Sequence, residues 1–92
     1  MPQKPSFAAA LKTVRKARGL SQEAFSEVSS RTYLSSLERG LKSPTLNKIE
    51  SLSEALGVHP LTLLALAYAA DDKSLQKLLA RVSAELDEMQ AV

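Results

Sequence analysis

GLSQEAFSEVSSRTYLSSLERG, residues 19–40, decides the fold of this 92-residue chain. It holds two short amphipathic patterns, each opened by a serine able to cap a helix, Ser21 and Ser30. In the first, Ala24, Phe25 and Val28 form an apolar side, and Glu23 falls in the electropositive first turn. In the second, Leu34 and Leu37 turn inward, which leaves Arg31, Thr32, Ser35, Ser36 and Arg39 facing outward. Small polar and basic side chains on the open face of a short helix suit the major groove of a DNA duplex. Arginine can donate two hydrogen bonds to guanine O6 and N7, and a threonine methyl can meet a thymine methyl. Serine hydroxyls can serve bases or phosphates. The stretch predicts a bracing helix, a turn and a DNA-reading helix.

Outward from this stretch, Gly19, Gly40, Pro44, Gly57 and Pro60 cut the chain into helix-length pieces with no alternating β-branched pattern. Upstream, Phe7, Leu11 and Val14 line one face of a first helix over about residues 7–18, which Gly19 can end. Downstream, Pro44 and Thr45 open a fourth helix in which Leu46, Ile49, Leu52 and Leu56 repeat at helical spacing until Gly57. Pro60 fits the first position of a fifth helix, and residues 61–70 are apolar almost all round. His59, just before it, reads as a cap or a packed side chain rather than a metal ligand. Asp71 and Asp72 offer a cap for a sixth helix, where Leu75, Leu78, Leu79, Val82, Leu86 and Met89 form a stripe close to a heptad. The expected class is all-α around one core.

The absence of cysteine removes disulfides and thiolate metal sites and fits a cytoplasmic location. The N-terminal MPQKPSF has no apolar core of signal-peptide length. The longest uncharged stretch, residues 58–70, is broken by Pro60 and falls short of the roughly 20 residues of a membrane span. A single histidine and no glycine-rich phosphate loop leave no catalytic set, so no enzyme, cofactor, metal or small-molecule ligand is expected. The net charge of +2 conceals an asymmetry. Residues 1–48 carry nine Lys/Arg against three acids, or +6, whereas residues 49–92 carry three against seven, or −4. A polyanion is drawn to the first half and repelled by the second.

On these residues the chain resembles the phage-repressor and Cro type of helix-turn-helix, the XRE-like family of bacterial regulators. The resemblance spans about residues 7–64. It rests on VRKARGLSQEAF at 14–25, SRTYLSSLERG at 30–40, Pro44, Thr45 and Leu46, and EALGV at 54–58. It implies a five-helix lambda-repressor-like domain over residues 1–70, with an additional C-terminal helix over 71–92. It implies that Arg31, Thr32 and Ser36 read bases. Gln22, Ser35, Arg39 and Lys42 would hold phosphates, and Arg15 and Glu38 would form an internal ion pair. The family usually places a glycine and an apolar residue in the turn between its second and third helices. Here the turn is shorter and lacks glycine, and Ser26 replaces a small apolar residue. The second helix is therefore expected to end near Glu27, with Val28 as an apolar plug. Tyr33 is left between stacking on the DNA backbone and packing at the domain edge.

Two readings remain for the apolar C-terminal third. It can fold back on the core, or it can form a homodimer interface through Leu63, Leu66, Tyr68, Leu75, Leu79 and Val82. A dimer would set two reading helices about 34 Å apart on a palindromic site of double-stranded DNA. The rival from another class is an antitoxin whose C-terminal helices clasp a toxin.

Overall fold

Capping side chains set the helix starts in the computed structural model, which describes residues 6–25, 30–69 and 71–90. Helix α1 (Phe7–Ala17) begins at Ser6, whose Oγ accepts from the Ala9 amide at 3.1 Å. Helix α2 (Arg31–Glu38) begins at Ser30, which accepts from the Tyr33 amide at 3.1 Å. Thr45 does the same for Lys48 at the head of α3 (Leu46–Leu56). At α4 (Pro60–Tyr68) His59 Nδ1 accepts from the Leu61 amide at 3.0 Å, and Pro60 takes the first position, where its missing N–H costs nothing. Asp71 Oδ1 accepts from the Ser74 amide at 2.8 Å and heads α5 (Asp72–Gln90). That bond, with a second to the Ser74 side chain, holds the Asp71 carboxyl below its ordinary range.

The second expected helix takes a different form. Gln22–Phe25 is one 3-10 turn, closed by a bond from the Ala24 amide to the Ser21 carbonyl at 3.1 Å. The expected end near Glu27, the plug at Val28 and the contact at Ser26 lie outside the described residues. No strand occurs among the described residues. Helices α1, α2 and α3 are each followed by a glycine of positive φ, Gly19, Gly40 and Gly57. Gly40 (φ 74°) follows α2 while the Leu41 amide bonds back to the Ser36 carbonyl, and Gly57 (φ 73°) closes α3.

The core is built where α1, the 3-10 turn, α2, α3 and α4 meet. Leu11, Val14, Phe25, Leu34, Leu37, Leu52, Leu56 and Leu63 form it, with Phe7, Leu20, Tyr33, Ala55 and Val58 packed at its edge. Leu63 is therefore removed from the candidate dimer contacts: it is wholly buried inside its own chain. In α4 every position is apolar or small, so periodicity could not say which side faces the core; contact with α1 and α3 selects Leu63 and Ala67. The buried stripe of α3 starts at Ile49, and Leu46 lies 73% exposed. Helix α5 rests on α4 through Leu75 and Leu78, both half-buried, and buries no residue fully. No helix among the described residues is long and apolar enough to cross a membrane.

Candidate nucleic-acid interface

One carboxylate fixes how α2 is presented. Arg15 of α1 donates from Nε to Glu38 Oε2 at 2.5 Å and from Nη2 to Oε1 at 3.0 Å, while its Nη1 reaches the Leu20 carbonyl at 2.8 Å. Gln22 of the 3-10 turn donates to Glu38 Oε1 at 3.2 Å. The pair is nearly dry, with Arg15 11% and Glu38 4% exposed at the side chain. Burial pushes the Glu38 carboxyl up. The hydrogen bonds from Arg15 and Gln22, with the charges of Arg15 and Lys12, outweigh this and hold it below the ordinary glutamate range. The hydrogen bond to Glu38 raises the Arg15 guanidinium above its ordinary value, against the opposing effect of burial. Helix α1, the turn and α2 are thus tied at one point, which sets the rotation of α2 about its axis.

That rotation opens a single face. Gln22, Arg31, Thr32, Ser35 and Arg39 line one shallow concavity of about 320 Å³. At about 100° per residue, Arg31, Ser35, Thr32 and the C-cap Arg39 fall within an arc of about 100° around the axis of α2. Ser36 falls outside it. It is 8% exposed, and its hydroxyl donates to the Thr32 carbonyl at 3.0 Å, so the expected place on the open face is corrected. The reason is Tyr33, which packs against the core and widens the buried side of α2 toward Ser36.

Two features of this face had no local signature. Arg31, 69% exposed, pairs with Glu23 at 3.1 Å across the turn, eight positions back in the chain. The ammonium groups of Lys42 and Lys48 stand 5.5 and 5.3 Å from the centre of the Tyr33 ring. Lys42 comes from the loop after α2 and Lys48 from the first turn of α3, so the path of the chain, rather than any spacing, brings them together. Tyr33 packs at the domain edge with its outer surface set among cations. In α4 and α5, Leu66, Tyr68, Leu79 and Val82 are exposed and Leu75 is half-buried. No group of His, Cys, Asp or Glu among the described residues is arranged to hold a metal.

The sequence model of the helix-turn-helix family matches residues 11–63, which run from α1 through the first turn of α4. Control protein C.BamHI of Bacillus amyloliquefaciens is 53% identical over 34 residues, a stretch that spans 37% of this chain and 42% of that protein. No solved structure matches the chain.

Proposed function

The chain belongs to the XRE-type helix-turn-helix family of DNA-binding transcriptional regulators, and on that premise we propose that it acts as a homodimer on a palindromic operator through α2. The observation that carries the reading is the concavity shared by Gln22, Arg31, Thr32, Ser35 and Arg39, held in place from behind by the Arg15–Glu38 pair. Arg31 and Thr32 read base edges in the major groove. Gln22, Ser35, Arg39 and Lys42 hold the phosphates on either side.

One such domain touches too little of the groove to select a site among many, so two copies share the work. The exposed Leu66, Tyr68, Leu79 and Val82, with Leu75, supply the apolar surface for the second copy. A controller role, set by the protein's own concentration, is suggested by the likeness to a control protein. The family and this relative do not favour the toxin-clasping alternative.

Selection of bound duplexes from a random pool tests the proposal. The expected product is an inverted repeat whose half-sites lie about one helical turn apart. A pool that returns no sequence preference, or a single unrepeated site, would overturn it.

A further inference from the structure

We propose that α5 pairs antiparallel with α5 of a second copy of this chain, with Leu75, Leu79, Val82 and Leu86 as the seam. The proposal rests on the homodimer reading and specifies its surface and polarity. The residues at 75, 79, 82, 86 and 89 alternate steps of four and three, the spacing that keeps one stripe facing a neighbouring helix. Among the described residues α4 covers the stripe only in part, at the half-buried Leu75, and the rest lies open: Leu79 is 48%, Val82 43%, Leu86 50% and Met89 70% exposed. It continues into an apolar cleft of about 290 Å³ between α4 and α5, walled by Leu61, Leu64, Tyr68 and Leu78. A helix of 19 residues that buries none of them within its own chain is marginal in water and gains by a partner.

The partner is read from the pattern itself. Run backwards, the stripe meets itself: Leu75 lies opposite Leu86 and Leu79 opposite Val82, about a two-fold axis between Ala80 and Arg81, the middle of α5. A two-fold contact requires this self-complementarity, which an unrelated partner would have no reason to impose. Charge selects the polarity. Residues 72–81 carry Lys73, Lys77 and Arg81 against Asp72 alone, whereas residues 82–90 carry Glu85, Asp87 and Glu88 and no base. Parallel pairing sets like charge beside like. Antiparallel pairing lays the basic half of each helix along the acidic half of the other, and the two helix dipoles then also oppose favourably.

The chain has no cysteine, so introduced thiols report without background. Leu75→Cys and Leu86→Cys variants are purified, mixed to allow exchange, and air-oxidised. The expected result is a disulfide-linked dimer in the mixture and none in either variant alone. Disulfide dimers of each variant alone would show parallel pairing and overturn the proposal. No cross-link in a protein that still sediments as a dimer would overturn this seam and leave the homodimer reading standing. A monomer by sedimentation of the unsubstituted protein would overturn both. As a second arm, Leu79→Asp raises the dimer dissociation constant at least about tenfold, because it places an unpaired charge in the seam. The helical signal of α1 to α4 is retained; an unchanged dissociation constant would also overturn the proposal.

Discussion

Glu38 is asked to do two things at once, and its titration exposes both. Its carboxyl is held below the ordinary range in the folded chain and returns to that range on unfolding. At acidic pH the unfolded chain therefore binds more protons, so stability rises with pH there. The contribution is fully present above the ordinary glutamate value and is lost as pH falls through the lower folded value. Thermal unfolding of the wild type should lose midpoint temperature across that acidic window, and Glu38→Gln should flatten this limb. At neutral pH, Arg15→Ala should cost about 3–5 kcal/mol, because it strands a buried carboxylate. Chemical denaturation measures it. The neighbouring pair behaves otherwise. Arg31 and Glu23 are both exposed, so their bond is worth at most about 1 kcal/mol to the fold. Its consequence lies in binding. Arg31→Ala should cost about 1–3 kcal/mol of operator affinity and relax preference at one base pair of each half-site. Glu23→Gln should do the reverse, tightening binding to any duplex by removing a carboxylate that holds Arg31 and repels phosphate. Loss of sequence preference in Glu23→Gln would instead make Glu23 a reader of cytosine.

Helices in this chain are set by their ends more than by their interiors. Ser30→Ala removes the bond to the Tyr33 amide and should lower stability by about 1 kcal/mol. Gly57→Ala has open space for a Cβ yet places it on a residue with φ of 73°, so it should cost about 1 kcal/mol through the backbone alone. Urea midpoints at constant slope check both. This is also why so much of the element order could be read beforehand. Serine, threonine, proline and glycine at residues 30, 45, 60, 40 and 57 act through local hydrogen bonds and dihedral limits, which a sequence displays. The Arg15–Glu38 pair came from family likeness, and the structure contains it. What escaped was non-local or aperiodic. Residues 61–68 are apolar almost all round, with Thr62 the one exception, so only packing could assign Leu63 to the core rather than the surface. Ser36 was misplaced because the burial of Tyr33 depends on what lies beneath it. The pairing of Glu23 with Arg31, and of Lys42 and Lys48 with Tyr33, depends on how separate segments fold together.

Across the whole molecule, charge is divided along the sequence, +6 over residues 1–48 and −4 over residues 49–92. The first half of the chain holds the cations and the concavity, and the second half ends in Glu85, Asp87 and Glu88 on an exposed helix. A duplex seated on α2 is attracted by the basic first half of the sequence and repelled by the acidic second half. Binding should then release counterions in proportion to the phosphates each dimer neutralises. If Arg39 and Lys42 of both copies each hold one phosphate, about four contacts give a slope of roughly −3.6 in log affinity against log salt. Lys42→Ala, present twice in the dimer, should reduce the magnitude of that slope by about two while leaving sequence preference intact. A change near one instead would mean that a single copy occupies the DNA. Fluorescence anisotropy between about 50 and 200 mM salt resolves these values. A slope that Lys42→Ala does not move would place Lys42 on the Tyr33 ring and away from the phosphates, its cation–π contact being the whole of its role.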